Sequence, residues 1–209
     1  MISNKLRLWE AALCFTFGLA LLSGVWSSAS ADALAGQVLR LHVIANSDSQ
    51  ADQDLKLQVR DGVLAQAGTL LENVSSREAA EELLAAHLEE LARTGADIVG
   101  GAGYEYPVSV SLETCWFPTR VYDTFSLPAG NYRALRVVIG AGEGQNWWCV
   151  VFPPLCLGSV TEEVAATAAH AGLREDQVSL ITGRDGGYVV KFKLMEWWDS
   201  LIQALGLCQ

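Results

Sequence analysis

The sequence predicts an α+β fold. A single domain is expected, with a mixed or antiparallel sheet and helices packed on it, preceded by an N-terminal signal or anchor helix. Three observations carry this. Two runs rich in β-branched and aromatic residues, Tyr132–Ile139 and Trp147–Phe152, flank the glycine-rich loop Gly140-Ala141-Gly142-Glu143-Gly144. Two stretches, 51–66 and 75–93, repeat apolar residues at helical spacing. A positively charged start is followed by an apolar run and then by small residues. With 209 residues, the chain has room for one sizeable core.

In order along the chain, Lys5 and Arg7 precede the apolar run Ala11–Trp26, and Ser27–Ala33 is small and polar. This is the layout of a secretory signal, and Ala29-Ser30-Ala31 fits an A-x-A cleavage site, with Ala31-Asp32-Ala33 as a second register. Left uncleaved, the segment serves as an anchor, although it is shorter than the ~20 residues that usually span a bilayer. Either way the positive-inside rule keeps Lys5 and Arg7 in the cytoplasm and puts everything after Trp26 outside. Residues 1–33 are thus the signal or anchor, and residues 34–209 the exported domain.

Val38–Ala45 (VLRLHVIA) is a strand whose apolar content allows burial on both faces, with Arg40 and His42 alternating with Leu39, Leu41 and Val43. Asn46-Ser47-Asp48-Ser49 supplies helix-capping side chains. The helix from Ala51 to Gln66 aligns Leu55, Val59 and Val63, and sets Asp52 four residues before Lys56 in the orientation that favours an ion pair. Ser75 and Glu78 form a capping-box spacing for a second helix to Arg93, with Gly95 placed to end it. Its stripe is Ala79, Ala80, Leu83, Leu84, Leu88 and Leu91; Glu78, Glu81, Glu82, Glu89 and Glu90 form its solvated face.

β segments follow. Tyr104–Glu113 alternates apolar and polar residues, and Pro107 marks it as an edge strand. Val121–Leu127 leads through Pro128-Ala129-Gly130 into Tyr132–Ile139, which a short loop joins to Trp147–Phe152 as a central hairpin. Ser159 and Glu162 then begin a helix over Val160–Ala171, ended by Gly172. Gln177–Thr182 and Tyr188–Lys193 read as a second hairpin, and Leu194–Leu205 as a last amphipathic helix.

The formal net charge is −10, with no basic run beyond the N-terminus, which argues against a nucleic-acid partner. Cys149 invites a thiol nucleophile, but that chemistry needs a base, and His42, His87 and His170 all sit outside a recognisable catalytic context. Cys149 reads better as a buried sheet residue or half of a disulfide. Cys149 and Cys156 can pair if the Pro153-Pro154 turn brings their Cα atoms within ~7 Å; Cys115 is the competing partner. The glycine loop lacks G-K-[ST] and a following helix, so it is expected to be a flexible hairpin loop rather than a phosphate cradle. Asp48, Asp52 and Asp54 lack EF-hand spacing and are read as capping and solvated residues. No catalytic residue, metal or cofactor is assigned. Trp147 and Trp148, adjacent on a strand, must face opposite sides of the sheet, one in the core and one able to meet a partner. Pattern alone stops at a small exported α+β domain without an evident active site.

Several strings carry a resemblance. LRLHVIANSDSQADQDLKLQVRDGVL (Leu39–Leu64), FPTRVY (Phe117–Tyr122), LPAGNYRALRVVIGAGEGQNWWCVVFPPLC (Leu127–Cys156) and KFKLMEWW (Lys191–Trp198) resemble the stage II sporulation protein R family of endospore-forming bacteria. The resemblance spans nearly all of the exported region. HVIANSD and GQNWWCVVFPPLC are its most specific parts. Cys115 stands outside the family pattern, so the resemblance favours Cys149–Cys156. It implies a signalling protein rather than an enzyme, made in the forespore and exported into the space between the forespore and mother-cell membranes. There it is expected to activate a membrane-embedded aspartic protease of the mother cell, which removes the pro-sequence of sigma-E. The contact surface is expected on Asn46, Ser47 and Asp48 together with Glu143, Gln145, Asn146 and one of Trp147 or Trp148. Two other classes suit an exported domain: a hydrolase acting on peptide or peptidoglycan, with a His or carboxylate buried beside Cys149, and a wall-binding module.

Overall fold

The computed structural model describes residues 13–16, 32–155 and 161–182. Strand β1 (Leu39–Ile44) is buried along its whole length. A strand with so little polar surface is stable only in the interior of a sheet, and that is its position.

Helix α1 (Gln50–Leu71) starts at Ser49, whose hydroxyl accepts the Asp52 N–H at 3.2 Å. It runs past the expected end at Gln66 because Ala67 and Leu71 continue the buried stripe of Leu55, Val59 and Val63. The second expected helix is two. Helix α2 (Arg77–Ala86) is capped by Ser76 rather than Ser75, through the Ala79 N–H at 3.3 Å. The chain breaks at His87, whose N–H turns back to the Leu84 carbonyl at 3.0 Å. Glu81 leaves the solvated face expected for it and is bridged by Arg77 at 2.9 Å and Arg133 at 2.5 Å.

Helix α3 (Leu88–Gly101) continues through Gly95, the expected terminator. Gly95 is buried where α3 meets strand β2 (Val108–Phe117), and a Cβ there would lie 2.8 Å from Val108 Cγ1. Its role is to let helix and strand approach. The terminator is Gly103, at φ +84°: its N–H bonds to the Gly100 carbonyl, and the Tyr104 N–H to that of Val99, a Schellman motif.

In place of one strand over Val121–Leu127, β3 (Arg120–Val121) and β4 (Ser126–Leu127) form a small separate hairpin. Strands β5 (Gly130–Ile139) and β6 (Asn146–Phe152) are the two runs expected to pair as a central hairpin, and they do not. The order is β2-β5-β1-β6, with β1 parallel to β5 and antiparallel to β6. The doubly buried β1 takes the interior place, so the glycine loop must pass over its end. The sheet is mixed.

Leu39, Leu41 and Val43 of β1 join Leu135, Val137 and Ile139 of β5 beneath Leu55, Val59, Leu84 and Leu91 of the three helices. On the other face Tyr132, Ala134 and Val150 pack with Leu34, Val38, Phe117 and Phe125, and with helices α4 (Thr161–His170) and α5 (Glu175–Thr182). Residues 177–182, expected as a strand, lie within α5. The Gln177 side chain accepts the Arg174 N–H at 3.0 Å, one half of a capping box, and Val178 and Ile181 share the buried side. Ser159, the strand at Tyr188–Lys193, the helix at Leu194–Leu205 and nearly all of residues 1–33 lie outside the described residues. Among those described, no helix is long and apolar enough to cross a membrane.

Candidate functional site

The loop between β5 and β6 crosses the end of β1 in few residues, and glycine makes this feasible. Gly140 and Gly142 have φ of +59° and +66°, where a Cβ is penalised. A Cβ on Gly140 would strike the Asn46 side chain, and one on Gly144 the Ser47 carbonyl. The loop is therefore seated on the turn that follows β1.

Hydrogen bonds fasten it there. Asn46 Oδ1 accepts the Ala141 N–H at 3.0 Å, and the Asn46 carbonyl accepts the Glu143 N–H at 3.2 Å. The Ala45 carbonyl accepts the Gly144 N–H at 3.0 Å, and Asp48 Oδ1 the Gln145 N–H at 2.8 Å. From α1, Lys56 Nζ donates to the Gln145 carbonyl at 3.1 Å and to Gln53 Oε1 at 2.5 Å. Both backbone groups of Gln145 are thus tied. The expected flexible hairpin loop is a pinned crossing.

Asp52 holds the turn from below. It accepts from Asn46 Nδ2 at 2.9 Å and from Ser47 Oγ at 2.5 Å. These bonds, that of Ser47 first, hold its carboxyl below the usual carboxylate range in spite of burial. Asp52 and Lys56 are each 4% exposed, so Asp52 is not the solvated residue expected, and the ion pair their spacing favours is replaced by separate partners. Burial, with Arg60 nearby, lowers the Lys56 pKa.

Strand β6 carries the tryptophans on opposite faces, Trp147 across from Val43 and Trp148 across from His42. Trp147 remains 37% exposed, with the Arg60 guanidinium 4.3 Å from its ring centroid. Trp148 is half-buried and stacks on His42 with centroids 4.0 Å apart. His42 Nε2 meets Asn146 Oδ1 at 2.7 Å, so Nε2 carries the proton and donates, while the buried Nδ1 has no partner among the described residues. Burial lowers the His42 pKa.

A second buried cation secures β6 from behind. Arg40, fully buried, donates through Nε to the Cys149 carbonyl at 2.8 Å and through Nη2 to the Tyr122 hydroxyl at 3.0 Å. Tyr122 in turn donates to the Trp148 carbonyl at 2.9 Å. The guanidinium lies 4.3 Å from the Phe117 ring centroid and 4.9 Å from that of Tyr132. Cys149 is disulfide-bonded, while Cys14 and Cys115 are free. Cys156, its expected partner, lies outside the described residues. A sulfur in a disulfide has no thiol to ionise, which removes the reagent of the nucleophile reading.

The structure brings the two predicted stretches into direct contact. Asn46 and Ser47 are half-buried and serve the architecture. Asp48, Glu143, Gln145, Asn146 and Trp147 are exposed. With Asp48 and Asn146 engaged inward, Glu143, the Gln145 side chain and the Trp147 ring form the outward display. Sequence reasoning missed the residues that hold this display: Asp52, Lys56, Arg60, Arg40 and His42. A signal existed, since Arg40 and His42 stand in a run read as buried on both faces, and Lys56 adjoins the buried Leu55.

The comparisons with known proteins agree with the strings that built the site. The family model described as stage II sporulation protein R matches residues 35–162. The stage II sporulation protein R of Bacillus subtilis (strain 168) is 33% identical, over 79% of this chain and 81% of that relative. No solved structure matches the chain.

Proposed function

Since the chain belongs to the stage II sporulation protein R family, we propose that it is a sporulation signal exported from the forespore into the intermembrane space. There it activates the membrane-embedded aspartic protease of the mother cell that processes pro-sigma-E. The observation that supports a recognition role most directly is the loop over β1: Gln145 is held at both its N–H and its carbonyl, and Glu143, Gln145 and Trp147 face solvent. A loop already fixed in one shape loses little entropy on binding, so more of its contact energy becomes affinity. A ligand shifts a protease toward its active state only by binding that state more tightly than the inactive one. A rigid display discriminates between two such shapes. The N-terminal segment serves export, whether cleaved or kept as an anchor, and Cys149–Cys156 is the pairing proposed for the disulfide.

Deletion of the gene, followed by an immunoblot for the sigma-E precursor during sporulation, tests this reading. The precursor accumulates, and a copy carrying the N-terminal segment restores processing while a copy without it does not. Normal processing in the deletion strain contradicts the proposal.

A further inference from the structure

Among the described residues, strand β2 is an outer strand of the sheet. It pairs with β5 over ten consecutive residue pairs, Val108↔Ile139 to Phe117↔Gly130, with no register shift. Along its other side the alternate N–H and C=O groups have no backbone partner among the described residues. Proteins usually blunt such an edge with proline, lysine, a bulge or a short strand. β2 has none of these between Val108 and Phe117 (VSVSLETCWF), and Pro107 stands just before it. Beside the open edge, Trp116 is 45% exposed, and Val110 and Leu112 are only half-buried.

We propose that this edge pairs with β2 of a second copy, antiparallel about a two-fold axis at Leu112, joining two four-stranded sheets into one. A two-fold axis always opposes a strand to its own reverse, so an edge strand pairs with itself whenever its residues are self-complementary. Among the registers that oppose no like charges, the one centred on Leu112 pairs the most of this strand. With Leu112 opposite Leu112, Ser111 faces Glu113, Val110 faces Thr114, Ser109 faces Cys115 and Val108 faces Trp116. No like charges oppose, Leu112 meets Leu112 and Val108 meets Trp116 on the helix-bearing face, where Val110 faces Thr114, and a serine donor meets the carboxylate on the other. The register covers Trp116 with Val108 and uses nearly the whole strand. Moving the axis to Glu113 opposes two carboxylates, which disfavours that register. The pairing rests on the edge alone and stands apart from the protease reading.

Sedimentation of the exported chain tests it, together with a cysteine placed at Ser109. A concentration-dependent dimer is expected in the micromolar range. Thr114→Lys sets a lysine at an exposed edge position opposite Val110, and shifts the chain to monomer with unchanged circular dichroism. Ser109→Cys yields a dimer joined by disulfides to Cys115 on a non-reducing gel, whereas Glu105→Cys does not. A wild-type chain that stays monomeric at ~100 μM overturns the proposal. A dimer that survives Thr114→Lys and forms no 109–115 disulfide overturns it equally. Neither readout involves sigma-factor processing, so failure here leaves the proposed function standing, and the reverse.

Discussion

The buried ammonium of Lys56 donates to the backbone carbonyl of Gln145 at 3.1 Å, so a residue in the first half of α1 fixes the loop that joins β5 to β6. On the other side of the same residue, Asp48 accepts its N–H at 2.8 Å. Sheet, helix and loop meet at this peptide.

Lys56→Met keeps the stem of the side chain and removes the donor. The expected loss is about 1–3 kcal/mol, the usual cost of removing a charged hydrogen-bond partner from a buried group. Urea unfolding measures that loss. Hydrogen exchange at the Gly144 and Gln145 amides rises with it if the loop is released. An unchanged exchange pattern assigns Lys56 to packing alone.

Asp52 gives the fold an acid dependence. Its folded pKa is depressed by Ser47 and Asn46, below the ordinary value of about 3.9. Above that value both states are ionised and the stabilisation is complete. As pH falls below it, the unfolded chain takes up the proton first, and the contribution is lost as pH passes through the folded pKa. Asp52→Asn therefore lowers stability at neutral pH and flattens the acid limb of the urea midpoint against pH.

His42 acts at milder pH. Burial depresses its pKa, so below about 6.5 the unfolded chain binds a proton that the folded chain refuses. Stability is full above that point and declines as pH falls toward the folded pKa. His42→Phe keeps an aromatic ring against Trp148 and abolishes this slope. A slope that persists in the variant belongs to another group.

The glycines of the crossing differ in kind. Gly140→Ala strains a left-handed backbone and meets the Asn46 side chain, which is held by its bonds to Ala141 and Asp52; the backbone strain alone is expected to cost about 1–2 kcal/mol. Gly144→Ala meets the Ser47 carbonyl, which is backbone and cannot yield so easily, and is expected to cost more. Thermal melts of the two variants rank them, and the reverse order contradicts the seating of the loop on the 46–48 turn.

Much of this molecule was legible in the residues. Ser49 caps α1, Leu55, Val59 and Val63 lie on its buried face, and the two tryptophans split between faces because strand alternation demands it. The pairing of β5 was not legible, because a short glycine-rich loop between two β-rich runs is also the signature of a hairpin. Only the burial of β1 on both faces hinted that it lay between them. Residues 177–182 carry strand-like side chains, and their helix depends on the Gln177 cap to Arg174. Gln145 and Trp147 stood in a string read as specific, with Glu143 just before it, whereas Asp52 and Lys56 looked like an ordinary surface pair. Their burial is a tertiary event, created when the loop closes over the start of α1.

Whether Glu143, Gln145 and Trp147 form the contact surface of a sporulation signal is decided by a processing assay. Trp147→Ala and the pair Glu143→Ala with Gln145→Ala are expressed in sporulating cells, and sigma-E maturation is read beside the level of exported protein. The predicted result is processing reduced at least tenfold with the exported level unchanged. Full processing in both variants at normal level contradicts the account.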